Sequence, residues 1–65
     1  MVLSKREKEV AELLCLGYGN KEISDEINIS PRTVDTYVER LMFKLRARNR
    51  LALVAIYIRE YENAK

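Results

Sequence analysis

Apolar residues recur at helical spacing in the middle of the chain, where they mark one face of a predicted helix over residues 31–45. They are separated by four, three and four positions, which aligns them along one side of an α-helix: Val34, Val38, Leu41 and Leu45. Ser30 precedes this segment and Pro31 opens it. A serine side chain accepts the free N–H groups of a first helical turn, and proline is tolerated there because its missing N–H would have no partner. The pattern therefore predicts a helix with one buried and one outward face.

The N-terminal segment carries the signals of an earlier helix over about residues 5–16. Ser4 and Glu7 have the three-residue spacing of a capping box, in which each side chain bonds the other residue's backbone N–H. Gly17 ends the segment, because glycine readily takes the positive φ of a helix terminus. Cys15 lies beside the inward face and is interpreted as a small buried hydrophobe rather than a reactive thiol.

A short helix over residues 21–27 and a tight turn at residues 28–30 connect these two segments. Asn20 is the predicted N-cap of the short helix, whose Ile23 and Ile27 stand one turn apart on the inward side. A short helix, a three-residue turn and a longer helix form a helix-turn-helix, which places the longer helix in the major groove of DNA.

The last predicted helix, over residues 50–61, contains an unbroken apolar or aromatic run from Leu51 to Ile58, with Asn49 as its predicted N-cap. Such a run covers all sides of a helix, whereas packing on a core uses only about 100° of the surface. We expect an inward set of Leu51, Val54, Ala55 and Ile58. The outward set should then meet a second copy in two-fold symmetry, or a neighbouring domain of the same chain: Ala52, Ile56 and Arg59.

The length and composition of the chain restrict what it can do. Sixty-five residues make one small domain over residues 1–65. With no histidine and a single cysteine, no nucleophile has a general base and no Cys/His metal site can form, so we expect no enzyme, metal or cofactor. Charged residues from Lys5 to Lys8 interrupt any apolar run near the start; neither a signal peptide nor a membrane span is predicted, and cytoplasmic localisation is the default.

The net charge is only +2, so the argument for nucleic-acid binding depends on where the cations lie. Asn20 and Lys21 offer a helix N-terminus and a cation to a phosphate; the alternative is a cap followed by a solvated lysine. A second group of cations follows the predicted recognition helix and is suited to phosphates beside the groove, the alternative being a solubilising loop. This group has no acid within it: Lys44, Arg46, Arg48 and Arg50.

Several of these motifs together resemble the LuxR/GerE-type DNA-binding domain, in register and without gaps from about residue 3 to residue 58. The motifs are Leu3-Ser4-Lys5-Arg6-Glu7-Lys8-Glu9-Val10, Gly17, Asn20-Lys21-Glu22-Ile23, Ile29-Ser30-Pro31-Arg32-Thr33-Val34, Lys44-Leu45 and Arg50. The resemblance implies an all-α four-helix bundle that binds DNA through its third helix, dimerises through its fourth and controls transcription. It also implies that the chain is either a complete short protein or the output domain of a longer one with a sensor or receiver domain.

The outward face of the third helix departs from the family pattern. Where the family usually has a basic residue after Thr-Val, a histidine two positions later and a lysine one turn on, this chain has Asp35, Tyr37 and Glu39. Two acids weaken the general attraction to phosphate. A carboxylate can nevertheless accept from the N4 amino group of cytosine. Arg40 can instead neutralise Asp35 or Glu39 locally.

We therefore expect sequence-specific binding of double-stranded DNA by a homodimer that regulates transcription. The residues expected to face bases are Asp35, Thr36, Glu39 and Arg40. Those expected to hold phosphate are Asn20, Lys21, Ser30, Arg32, Thr33, Lys44 and Arg50. The alternative, favoured by the two acids and an exposed aromatic at Phe43, is a protein-interaction module that pairs with another helix-turn-helix regulator and binds little DNA itself.

Overall fold

The computed structural model describes residues 2–62 and is all-helical over that range. Its elements, in chain order, are α1 (Lys5–Cys15), α2 (Asn20–Ile27), α3 (Pro31–Leu45), α4 (Arg50–Tyr57) and a π-helical turn (Ile58–Glu62). The predicted all-α architecture of four helices with a helix-turn-helix is confirmed. Residue 1 and residues 63–65 of the predicted domain lie outside the described residues. Within the described part of the chain, no helix has the length and apolar character needed to cross a membrane.

Side-chain caps begin α1 and α3 as the sequence predicts. At α1, the Glu7 N–H donates to Ser4 Oγ at 3.1 Å and the Ser4 N–H donates to Glu7 Oε1 at 2.8 Å, which completes the capping box. At α3, Ser30 Oγ accepts from the Thr33 N–H at 3.1 Å. Each such cap stabilises its helix by about 1 kcal/mol, so the start of the recognition helix is defined by local sequence.

The start of α2 differs from the prediction by one residue. Gly19, not Asn20, is the N-cap, and its N–H donates to Glu22 Oε1 at 2.7 Å. Asn20 is the first helical residue. Asn20 was predicted as the cap because Asn is a stronger N-cap residue than Gly. The prediction is wrong because the Glu22 side chain bonds the Gly19 N–H, which sets the start of the helix one residue earlier. The Asn20 amide is consequently available for contacts outside its own helix.

The predicted inward face of α4 is wrong except at Val54, which packs against the core. Leu53 and Tyr57 are the buried residues of this helix, whereas Leu51 is 81% exposed. Asn49 does cap the helix, since its side chain accepts from the Ala52 N–H at 2.8 Å. An apolar run without a polar position has no periodicity from which a face can be read. The residues expected to face the core are exposed or half-buried instead: Leu51, Val54, Ala55 and Ile58.

Every helix contributes at least one fully buried aliphatic side chain to a single core: Val10, Ile23, Val34, Leu41 and Leu53. Burying such a side chain contributes about 1.5–3 kcal/mol. Cys15 is half-buried and packs against this core, in agreement with its interpretation as a small hydrophobe. Because α3 is held by the side that carries Val34 and Leu41, its opposite side is left at the surface of the domain.

Candidate nucleic-acid interface

The outward face of α3 is a continuous exposed surface along the helix. It is formed by residues on the side opposite the buried stripe: Asp35, Thr36, Glu39, Arg40 and Phe43. The aromatic side chain of Phe43 is 79% exposed. Thr36 Oγ1 donates to the Arg32 carbonyl one turn earlier at 3.3 Å. The four predicted base-facing residues therefore lie together on one accessible surface.

Three helix starts meet in a polar group that we call the Asp35 cluster, formed by Asn20, Asp35 and Arg50. Asn20 opens α2, Arg50 opens α4, and Asp35 lies near the start of α3. The Asn20 amide Nδ2 donates to Asp35 Oδ1, and the Arg50 guanidinium donates to Asn20 Oδ1. The same guanidinium nitrogen of Arg50 lies 3.5 Å from Asp35 Oδ1. The cluster thus joins one predicted base-facing residue to two predicted phosphate-binding residues.

The cation beside Asp35 is Arg50 and not Arg40, for which the sequence left neutralisation of Asp35 or Glu39 as an alternative to base contact. The guanidinium carbon of Arg40 lies 5.8 Å from the centre of the Tyr37 ring, in a cation–π arrangement. Such a contact stabilises an exposed pair by about 0.5–1 kcal/mol. The hypothesis that Arg40 neutralises Asp35 is therefore wrong for the described structure, because the start of α4 brings a closer cation to that carboxylate.

Hydroxyl groups at the start of α3 form a second set of donors. Ser30 Oγ and Thr33 Oγ1 are 2.9 Å apart, and either can donate to the other. Two hydroxyls that share one hydrogen bond retain one further O–H group, whichever of them donates. Lys21 on α2 and Arg32 on α3 are also exposed. Most of the predicted phosphate-binding residues thus retain a donor that a ligand can reach.

Lys44 differs from the other predicted phosphate-binding residues. Its ammonium Nζ lies 2.8 Å from Glu7 Oε1, and the Glu7 residue is only 3% exposed. Burial raises the pKa of Glu7, but the hydrogen bonds from Lys44 and from the Ser4 backbone outweigh it, so the pKa lies below its ordinary value. Lys44 therefore compensates a buried charge within the protein.

The basic segment after α3 consequently presents different cations from those expected. Lys44 and Arg50 are engaged by Glu7 and Asp35, whereas Arg46 and Arg48 are exposed. Arg46 also ends α3 in the left-handed conformation, with φ of 57°. Sequence reasoning noted this cluster but did not select the two arginines; their position outside the helices was the only available signal.

The predicted dimer surface on α4 is partly exposed. Ala52 and Ile56 on α4 are half-buried. Arg59, on the π-helical turn that follows, is exposed, with its Nε 3.5 Å from Glu60 Oε2. The large exposed side chain of Leu51 extends this surface. Leu51 was missed because the sequence assigned it to the core. The helix thus presents an apolar strip that a second protein surface can cover.

The sequence matches the family model described as bacterial regulatory proteins, luxR family, over residues 1–57. The chain belongs to the LuxR family. Among similar proteins, the oxygen regulatory protein NreC of Staphylococcus carnosus (strain TM300) is 42% identical over 53 residues, which cover 82% of this chain and 24% of that protein. NreC of Staphylococcus aureus (strain JH9) has the same identity and coverage. The chain spans about a quarter of the length of these curated relatives.

Family membership gives the outward face of α3 its context. A LuxR-family helix-turn-helix is a DNA-binding domain of transcription regulation, so the resemblance seen in the sequence is confirmed. The family model describes regulatory proteins.

Proposed function

We propose that the chain binds duplex DNA sequence-specifically as a homodimer, with α3 in the major groove, and thereby regulates transcription. The observation that carries this proposal is the exposed face of α3, flanked at its start by the donors of α2 and α4. A major groove about 12 Å wide admits one α-helix, whose N-terminal residues reach the base edges.

Thr36, Glu39 and Arg40 lie where an inserted α3 would meet bases. The Thr36 hydroxyl is bonded along its own helix, which leaves its methyl group for contact with a thymine methyl. Glu39 can accept from the N4 amino group of cytosine, and Arg40 can donate to guanine. With these assignments, the face would recognise bases through an apolar contact and through hydrogen bonds.

Phosphate contacts would surround this face. Lys21 and Arg32 are exposed cations, and the Ser30–Thr33 pair retains a hydroxyl donor at a helix N-terminus, where an anion is favoured. Asn20 and Arg50 can add further donors from the Asp35 cluster. We assign Lys44 to the stabilisation of Glu7 instead, because freeing its ammonium would leave a buried carboxylate unpaired.

Two-fold pairing through α4 would supply the second recognition helix. Leu51, Ala52, Ile56 and Arg59 form the proposed contact, since an exposed leucine beside half-buried apolar residues is stabilised when a second copy covers it. Two-fold symmetry would then set the half-sites one helical turn apart, about 10 base pairs.

We further propose that the domain acts in the cytoplasm, as the output of a sensor or receiver domain in the same chain or in a partner. The support for the cytoplasmic location is that the chain belongs to a DNA-binding family. The support for the output role is that its relatives, named oxygen regulatory proteins, are about four times the length of the matched segment.

Selection from a pool of randomised duplexes tests the proposal. We expect the wild-type protein to select two similar half-sites about 10 base pairs apart. Glu39→Gln should select a different site, because the amide replaces an acceptor with a donor, while Glu26→Gln on α2 should select the wild-type site. An unchanged site for Glu39→Gln would remove Glu39 from the base-reading residues.

The second candidate is a protein-interaction module that pairs with another helix-turn-helix regulator. The exposed Phe43 ring favours it, as does the acid at Glu39. Arg50 weakens it, because one of the two acids on α3 already has a cation partner. This candidate predicts no selected duplex, but mixed dimers with a second regulator that Ile56→Glu disrupts.

A further inference from the structure

The two carboxylate oxygens of Asp35 have different surroundings. The bond from Asn20 and the contact with Arg50 both use Oδ1. The Asp35 side chain is nevertheless 62% exposed. A carboxylate offers about four acceptor positions on its two oxygens. Asp35 is therefore held through one oxygen, and Oδ2 is left for a ligand on the outward face of α3.

We propose that Asp35 recognises cytosine through Oδ2, and that Asn20 and Arg50 are positioning residues that orient and neutralise its carboxylate for this contact. The inference rests on the proposed function, because it requires α3 to enter the major groove. Cytosine is the only base whose major-groove edge presents an amino donor without an adjacent acceptor on the same base. A carboxylate, which only accepts, matches that edge.

Neutralisation of the Asp35 carboxylate reduces its electrostatic repulsion by DNA. A carboxylate that approaches DNA without a counter-charge is repelled by the phosphates on both sides of the groove. The Arg50 guanidinium, 3.5 Å from Oδ1, provides that counter-charge within the protein. Arg50 has five N–H donors, so its contacts with the cluster leave others for a phosphate. Arg50 would thus contact a DNA phosphate and also neutralise the carboxylate that contacts the base.

Orientation follows from the order of donors and acceptors in the cluster. Arg50 donates to the Asn20 carbonyl oxygen, so the Asn20 amide must turn its NH₂ group towards Asp35. Both groups that face Asp35 Oδ1 are donors. Any side chain at position 35 with one acceptor and one donor should therefore turn its acceptor inward and its donor outward.

Asp35→Asn tests the proposal, because asparagine has nearly the same shape as aspartate but carries one donor and one acceptor. The amide oxygen would replace Oδ1 within the cluster, and the amide NH₂ would replace Oδ2 at the base. We expect the protein to lose its cytosine preference at one position per half-site and to prefer a base with an acceptor there. The expected change is about fivefold to tenfold, at the lower end of what a two-bond base contact gives.

Asn20→Ala separates positioning from direct contact. The substitution carries no change of charge, so we expect the salt dependence of binding to remain. Cytosine preference should weaken severalfold at the position that Asp35→Asn changes, and other positions should keep their preference. Loss of affinity for all sequences with an unchanged cytosine preference would show that Asn20 contacts phosphate only and has no positioning role.

The experiment is duplex selection followed by competition titrations with single-base variants of the selected site. Asp25→Asn, the same acid-to-amide change at an exposed position on α2, is the matched control and should select the wild-type site. If Asp35→Asn keeps the cytosine preference, the inference is overturned while DNA binding stands. If the wild-type protein selects no sequence, the proposed function and this inference both fail.

Discussion

Replacing Lys44 with methionine should destabilise the domain by about 2–3 kcal/mol. Removing one partner of a buried ion pair costs about 3–5 kcal/mol, because the remaining charge stays buried without compensation. Here the cost is smaller, since the Lys44 side chain is 26% exposed and Glu7 keeps its bond to the Ser4 N–H at 2.8 Å. In a domain of this size, the expected fall in melting temperature is roughly 10–20 °C.

The loss should depend on pH with a sign that follows from Glu7. Its folded-state pKa is below the ordinary value of 4.5, so the wild-type contribution is present above that pH and is lost as pH falls through the folded pKa. Without Lys44, the hydrogen bond and the charge that lower the pKa of Glu7 are lost, so its pKa should be higher in the variant than in the wild type. The stability difference between wild type and Lys44→Met should therefore be largest near neutral pH. It should narrow as pH falls, first through the higher pKa of Glu7 in the variant and then through its lowered pKa in the wild type.

Urea denaturation followed by circular dichroism at pH 7 and pH 4 measures both effects. Lys8→Met is the matched control on the exposed side of α1, and its effect should stay within about 0.5 kcal/mol. Adding Glu7→Gln to Lys44→Met should restore part of the loss, because a neutral amide still accepts from Ser4. Equal stability of Lys44→Met and wild type at both pH values would refute the assignment of Lys44 to the stabilisation of Glu7.

The remaining predictions concern the cap of α3, the phosphate contacts and the dimer. Ser30→Ala should lower the free energy of unfolding by about 1 kcal/mol in urea denaturation, since it removes the N-cap; no change would mean that Pro31 suffices. Lys21→Ala should weaken binding to all duplexes and lower the salt slope by about one unit, whereas Lys8→Ala should not; altered base preference would place Lys21 at the bases. Leu51→Glu should shift the sedimentation profile towards monomer, and an unaltered profile would place the interface elsewhere.

Local sequence signals were sufficient to predict most of the helical architecture. Ser4, Ser30 and Asn49 each cap a helix where the sequence places them, because a cap depends on residues only a few positions apart. The stripe on α3 was also predictable, since polar residues separate its apolar positions. The fourth helix was predicted to end at about residue 61; its α-helical part ends at Tyr57, and a π-helical turn continues to Glu62.

Periodicity could not assign the face of α4. Its apolar residues form an unbroken run, and the choice of Leu53 and Tyr57 for the core depends on how α4 meets the other helices. The sequence therefore predicted an apolar surface on this helix, but included Leu51 in the core rather than at that surface.

The pairings within the candidate site were likewise beyond sequence reasoning. Asn20 and Asp35 are 15 positions apart, and Lys44 and Glu7 are 37 apart, so no local pattern relates them. The sequence indicated that these residues carry donors and charges suited to DNA. Which charges compensate one another is determined by how the helices pack.

Fluorescence anisotropy of a labelled, sequence-randomised duplex pool, titrated at several salt concentrations, tests the DNA-binding claim most directly. Protein concentration must be high enough to populate the proposed dimer. The proposed phosphate-binding cations are Lys21, Arg32 and Arg50, which makes about six per dimer. The logarithm of the affinity should therefore fall linearly with the logarithm of salt concentration, with a slope of about −5. Absence of binding at the lowest salt concentration would contradict the proposed function and favour the protein-interaction module.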